Sequence, residues 1–305
     1  MQITLQSYAK INLGLFIQSK REDGYHNIVT VFQLIDLHDT LVFKKNPSDF
    51  IHISCTDLSI PTDKNNLVFQ AFTQYKKQAH IQGGLNVMIH KRIPAGAGLG
   101  GGSSNAASTL FACESLWQKK TKNSILTKIA SEIGSDVPFF LTGGTALGQG
   151  RGELLTPLTI PQNFWIVLIF PGFSVSTGWA YSQAKIALTN AEKIGKLGSL
   201  FEETEAHTWR ETLVNELESV VFPRHPELQK IEMQFYERDA FYASMSGSGS
   251  TMYGLFHDRM MAEATVTFFS KKKMHALIAR PISAHLMDHS HECDQSKAEG
   301  HYASH

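Results

Sequence analysis

The sequence is poor in cysteine, carries no net charge and lacks any long hydrophobic run. Its three cysteines, Cys55, Cys113 and Cys293, are scattered through 305 residues. An odd, dispersed set makes no disulfide framework and fits a reducing compartment, so a cytoplasmic protein is expected. No apolar stretch approaches the roughly 18 residues of a membrane helix, and no secretory leader follows Met1. Twenty-eight Lys and Arg offset 28 Asp and Glu. That balance argues against a nucleic-acid or membrane footprint and leaves any anion to a local site. Also missing is a Gly-x-x-x-x-Gly-Lys-Ser/Thr run, which excludes a P-loop and its phosphate-binding lysine.

What is present is a chain with 42% hydrophobic and 18% charged residues, long enough to bury a full core in two domains. Its most informative stretch is Ile93 to Ala107, with five glycines and two serines ahead of a helix. Upstream, Leu85 to His90 alternates like a half-buried strand and Pro94 ends it; downstream, Ala106, Leu110, Cys113 and Trp117 recur at helical spacing, with Ser103 or Ser104 available as the cap. A strand, a glycine turn and a helix N-terminus make a phosphate cradle, because glycine lets successive N–H groups converge and the helix adds unpaired donors and its positive end. Gly96, Gly98 and Gly101 also satisfy Gly-x-Gly-x-x-Gly, but residues 118 to 124 offer no carboxylate for a ribose, against a dinucleotide fold.

Strands are expected over 2–18, 28–37, 40–45, 50–54 and 85–90, and helices over 66–79, 103–118 and 123–133. Past a proline-containing boundary at 156–163, residues 164 to 170 are apolar on both faces, as a buried central strand requires. Helices near 177–187, 207–219, 226–237 and 261–271 then mix with strands at 240–245, 251–256 and 274–279. The class is α+β, divided into 1–158, 159–285 and a polar tail, 286–305, expected to be disordered. In that tail His289, His291 and Cys293 have no framed fourth ligand, so no metal site is expected.

Two further positions invite chemistry. Lys10 and Asn12 are two apart on a strand and share a face, while Ala9, Ile11 and Leu13 take the other. Lys10 is either an exposed edge lysine or an ammonium that meets an anion. Asp136, between Gly134 and Pro138, either caps a short helix or works in a site, and a cap leaves one oxygen free.

These features together resemble the superfamily of galactokinase, homoserine kinase, mevalonate kinase and phosphomevalonate kinase. The likeness rests on Pro94–Ala107, Ala9–Leu13, Asp23–His26, Gly134–Phe139 and Ser246–Ser250, in order across residues 1 to about 285. Asp23-Gly24-Tyr25-His26 is particular to the branch acting on a cytidine diphosphate sugar alcohol. The resemblance implies a ribosomal-protein-S5-domain-2-like N-terminal domain, a ferredoxin-like C-terminal domain, and a kinase using ATP and Mg2+. No dedicated protein metal site is expected, and the sequence leaves monomer or homodimer open. The same resemblance implies that Lys10 and Asp136 are catalytic. It gives ATP to Asn65, Lys91, Pro94, Gly96, Gly98, Gly100, Gly101, Gly102, Ser103, Ser104 and Asn105. It gives the acceptor to Asn12, Tyr25, His26, Thr177, Tyr181, Gly247 and Ser248, with the base between the two tyrosines and His26 at its edge. From the residues alone, Asn65 reads equally as a helix cap and Tyr25-His26 as an ordinary turn. Ala97 stands where the family commonly has glycine, and Ser248, Ser250 and Thr251 depart from its third motif without closing the loop. The rival readings are a kinase of homoserine or mevalonate, which Tyr25, His26 and Tyr181 argue against, and a non-catalytic nucleotide sensor, which Lys10 and Asp136 argue against.

Overall fold

The N-terminal half of the chain mixes period-2 strands with apolar-faced helices, and the elements fall accordingly. The computed structural model describes residues 1–184, 197–201 and 207–283. In chain order its elements are β1 (Gln2–Lys20), β2 (His26–Asn46), β3 (Ile51–Cys55), α1 (Leu67–Ala79), β4 (Gly84–His90), α2 (Gly101–Trp117), α3 (Asn123–Ile133), α4 (Val137–Thr142), β5 (Thr145–Gln149) and β6 (Leu154–Leu158). The second half adds β7 (Trp165–Phe170), α5 (Thr177–Gln183), α6 (Leu197–Leu200), α7 (His207–Thr212), α8 (Glu218–Arg224), α9 (Pro226–Tyr236), β8 (Tyr242–Met245), β9 (Met252–Phe256), α10 (Arg259–Lys271) and β10 (His275–Ala279).

A long antiparallel hairpin, β1 against β2, organises the first sheet, pairing from Gln2 opposite Lys44 to Lys20 opposite His26 with three shifts of register. β2 also pairs antiparallel with β4 and with β5; β3 runs parallel to β4, and β6 is the far edge beside β5. The register of β1 shifts between Asn12 and Leu15, where Gly14 takes φ +82°, a left-handed bulge that glycine adopts without Cβ strain. The second sheet, β10-β7-β9-β8, is antiparallel throughout.

Three apolar cores hold these layers. In the first, Leu41, Phe43 and Val87 of the sheet meet Phe72 and Tyr75 of α1, Leu110 of α2 and Ile129 of α3. In the second, Ala9, Ile11 and Leu13 pack with Ile166, Leu168 and Tyr253 and so join β1 to the second sheet. In the third, the opposite face of β7, Val167 and Ile169, packs with Ile231, Phe235 and Phe269 of α9 and α10. β7 is thus buried on both faces, as its unbroken apolar run predicts. Because Ala9, Ile11 and Leu13 occupy this seam, strand geometry turns Lys10 and Asn12 the other way, toward the glycine turn.

Several expected boundaries move. The two strands read over 28–37 and 40–45 are one, β2. The proline-containing stretch at 154–158 is an edge strand, a place where Pro157 costs no central ladder bond. The helix expected over 207–219 is two, α7 and α8, because Leu15 N donates to Val214 O and Glu216 N to Leu15 O in between. Helix 103–118 starts at Gly101, with Gly100 as a left-handed N-cap and no side-chain cap from either serine. The last residues of the helix expected over 177–187, and the tail with His289, His291 and Cys293, lie outside the described residues. Among the described residues no helix is long and apolar enough to cross a membrane.

Candidate active site

The glycine turn, the polar face of β1, the hairpin tip, the start of α4 and the β8–β9 turn enclose a cavity of about 860 Å³. Every residue expected from the sequence to be catalytic or to bind ATP or the acceptor lines it except Ser104. Gly96, Gly98 and Gly100 all have positive φ, which is why the turn needs glycine there. Lys10 N donates to Leu99 O, and Thr251 N donates to Ala97 O, so β1 and the β8–β9 turn clasp the loop from two sides. Gly98 is the junction, its carbonyl accepting from Lys10 Nζ at 3.1 Å and from Ser246 Oγ at 2.9 Å.

Lys10 is 3% exposed, a burial that is costly for an ammonium unless its donors are met. They are: Nζ donates to Asn12 Oδ1 at 2.6 Å and lies 3.5 Å from Asp136 Oδ2, with the Phe32 ring beneath it. Asn12 is held in turn, Nδ2 donating to Thr30 Oγ1 at 2.8 Å and its backbone carbonyl accepting from Tyr253 OH. Asp136 stands at the N-cap position of α4 yet makes no side-chain cap bond. Its carboxylate, 30% exposed, faces Lys10 and the cavity.

At the glycine-turn end, Ser104 is turned away. The buried Ser7 hydroxyl lies 2.8 Å from both Ser104 Oγ and Asn105 Oδ1. Ser103 and Asn105 remain on the cavity wall. With Oδ1 engaged by Ser7, the amide group of Asn105 left for a ligand is its NH2 donor. The cap of α1 is Asn66, which accepts from Val68 N, so Asn65 is not spent as a cap. Lys91 Nζ lies 2.5 Å from Asp39 Oδ2.

At the other end, His26 and Tyr181 stack with ring centroids 5.4 Å apart, so the histidine occupies a face of Tyr181 that the sequence reading reserved for a base. Burial and the nearby Lys20 ammonium lower the pKa of His26, which favours neutral imidazole. Burial and the Asp136 charge push the Tyr181 phenol up. Tyr25 is 56% exposed, with the Arg151 guanidinium 5.1 Å from its ring. The Thr177 and Ser248 hydroxyls are hydrogen-bonded at 2.8 Å. Sequence reasoning missed Ser7, Lys20, Asp39 and Arg151; a lone Arg between two glycines was the available signal for the last.

Comparison with known proteins identifies the family. The models for the GHMP kinases N terminal domain and the GHMP kinases C terminal match residues 66–144 and 186–275. The 4-diphosphocytidyl-2-C-methyl-D-erythritol kinase of Thermodesulfovibrio yellowstonii is 39% identical over 272 residues, covering 88% of this chain and 94% of that protein. The protein of the same name from Chlorobium phaeobacteroides is 40% identical over 275 residues, covering 88% and 93%. A crystal structure of 4-(cytidine 5'-diphospho)-2C-methyl-D-erythritol kinase superposes with a TM-score of 0.76 at 31% identity, over 92% of this chain and 99% of that one. Homoserine kinase from Cytophaga hutchinsonii, at 19% identity and a TM-score of 0.73 over 92% and 95%, shares the fold. With two-domain GHMP architecture and these relatives spanning most of its length, the chain belongs to the 4-diphosphocytidyl-2-C-methyl-D-erythritol kinase family of the GHMP kinases.

Proposed function

We propose that this protein transfers the terminal phosphoryl group of ATP to the 2-hydroxyl of 4-diphosphocytidyl-2-C-methyl-D-erythritol, a step of the non-mevalonate route to isoprenoid precursors. The observation that carries the reading is the Lys10–Asp136 pair, 3.5 Å apart, set between a glycine cradle and an aromatic pocket in one cavity. Phosphoryl transfer through a loose transition state asks chiefly for alignment and charge neutralisation. A carboxylate is a weak base for an alcohol. Asp136 therefore orients the acceptor hydroxyl and takes its proton late, while Lys10, beside the carboxylate, offsets charge growing on the moving group.

In this reading the N-terminus of α2 and the backbone N–H groups of Gly98 to Gly102 cradle the ATP phosphates, assisted by Ser103 and the Asn105 amide. Asn65 and Lys91 flank the adenine. Ser103 would offer a hydroxyl oxygen to Mg2+ brought with ATP, and the ion would neutralise phosphate charge. Tyr25, His26 and Tyr181 recognise the cytosine, and Asn12, Thr177, Gly247 and Ser248 hold the rest of the acceptor. Neutral His26 supplies the edge hydrogen bonds that stacking alone does not provide. The division at 158/159 separates the two GHMP domains, and the enzyme works in the cytoplasm as a monomer or homodimer.

A coupled ADP-release assay with MgATP and the cytidine diphosphate compound, homoserine or mevalonate tests the reading. ADP release with the cytidine compound alone is expected; release with homoserine or mevalonate instead, or with none of the three, overturns it.

A further inference from the structure

We propose that Asp39, in the middle of β2, is a positioning residue for the nucleotide end of the cavity, acting through Lys91. The inference rests on the reading above in that ATP occupies the glycine turn.

Asp39 has no exposed surface, and a carboxylate in that position requires full compensation. It has three donors. Oδ2 accepts from Lys91 Nζ at 2.5 Å, and Oδ1 accepts from Arg92 N at 2.8 Å and Ile93 N at 2.9 Å. One side chain therefore pins the three residues that lead from β4 into the glycine turn. Those residues in turn abut the start of α2. A Cβ placed on Gly101 would lie 3.0 Å from Ile93 Cγ2 and 3.2 Å from Lys91 Nζ. The Lys91 side chain is 7% exposed, so the ammonium has little water to fall back on.

The electrostatics give the arrangement its consequence. A helix N-terminus carries a positive end, and an ammonium placed beside it is repelled unless an anion sits close. Asp39 is that resident anion. It neutralises Lys91 where it stands and holds it at the cavity wall, leaving the donors of α2 for phosphate. Asp39→Asn removes the charge while keeping the shape. One amide oxygen still accepts from the backbone, but an NH2 group now faces the ammonium, and Lys91 leaves its position together with the entry to the turn.

The test is steady-state kinetics on full-length wild type, D39N, K91M and D39N/K91M, alongside equilibrium binding of Mg2+ and a non-hydrolysable ATP analogue. For D39N we expect KM for ATP and the analogue Kd to rise about tenfold or more, with KM for the alcohol unchanged. K91M shifts the same two constants, and the double variant is no worse than K91M, because Asp39 acts through Lys91. Unchanged ATP constants in D39N, an equal rise in both KM values, or D39N and K91M effects that multiply would each overturn the inference. If D39N does not fold, the double variant, which has no unpaired ammonium, is compared with K91M: equal ATP constants support the assignment and a further rise overturns it. Failure of wild type itself to bind the analogue counts against the proposed function, and is thereby distinguished from failure of the Asp39 assignment.

Discussion

Gly98→Ala is the most diagnostic single substitution, because Gly98 is where the glycine turn, Lys10 and the β8–β9 turn touch. Its φ is +80°, and an added Cβ would fall 2.0 Å from the Ser246 carbonyl oxygen, 3.1 Å from the Ser246 carbonyl carbon and 3.2 Å from Gly249 O. These are backbone atoms and cannot rotate away, so the turns must part by roughly 1.4 Å to reach van der Waals contact. Left-handed backbone at alanine adds about 1–2 kcal/mol. A displacement of about 1 Å between reacting groups costs on the order of 100-fold in rate, or about 2.7 kcal/mol. The expected result is a fall of about 100-fold in kcat/KM in the coupled ADP assay and a thermal midpoint several degrees lower. Two neighbours calibrate the measurement. Gly96, at φ +62° with Ser174 Cβ 3.3 Å away, bears mainly the backbone strain, about 1–2 kcal/mol. Gly102 lies in α2 with Leu67 Cδ1 3.7 Å from its Cβ position, so alanine there leaves the thermal midpoint unchanged or raises stability by up to about 1 kcal/mol. A Gly98→Ala protein with wild-type kcat/KM and the midpoint of Gly102→Ala would refute the reasoning.

Asp136→Asn keeps the shape of the side chain but removes its capacity to take a proton; kcat is expected to fall by about 10² to 10⁴ with KM for ATP little changed, and near-normal turnover in the ADP assay removes the residue from the chemistry. Burial and the neighbouring Glu232 carboxylate push Glu218 up to about 8, although it accepts from Met245 N and Ser244 Oγ. Between its ordinary 4.5 and about 8 the folded state holds a proton that the unfolded state has lost, so this contribution is full below the lower value and disappears as pH rises through the upper one. Glu218→Gln therefore gains stability over wild type between pH 5 and pH 8, on the order of 2 kcal/mol by urea unfolding, the side chain's partial exposure keeping the gain below the full shift; parallel pH curves for the two proteins defeat the argument. For His26, held neutral by burial and Lys20, KM for the alcohol should rise only on the acid side of the ordinary histidine range, near 6.5. Lys20→Gln should move that rise to higher pH, and a KM profile with the same midpoint in both proteins would contradict it.

The parts of the site visible in the sequence were those whose geometry is local. Gly96, Gly98 and Gly100 announce positive φ by residue type, and the spacing of Lys10 and Asn12 puts them on one strand face whatever the fold. The partner of Lys10 was not legible from spacing, because Asp136 reaches it through packing of α4 against the rest of the first domain; family resemblance supplied that pairing. Ser103 and Ser104 look alike as neighbours at a helix start, and what separates them is Ser7, on a distant strand, which draws Ser104 inward.

Asp39 is the clearest case of a residue whose partners lie far away in sequence. Read along the chain, His38-Asp39-Thr40 breaks an apolar pattern at the gap between the strands expected over 28–37 and 40–45. In the folded protein the strand continues, and three donors from residues 91–93 meet that cost. Lys10 is the same event on β1, an ammonium interrupting an apolar alternation and satisfied by Asn12, Gly98 and Asp136. A charged residue retained inside an otherwise well-formed strand implies partners of matching number from elsewhere in the chain. In this protein both such residues end at the glycine turn. Strand interruptions of this kind therefore point to the site as directly as the glycine turn does, by the electrostatic compensation they require rather than by the backbone freedom that glycine supplies.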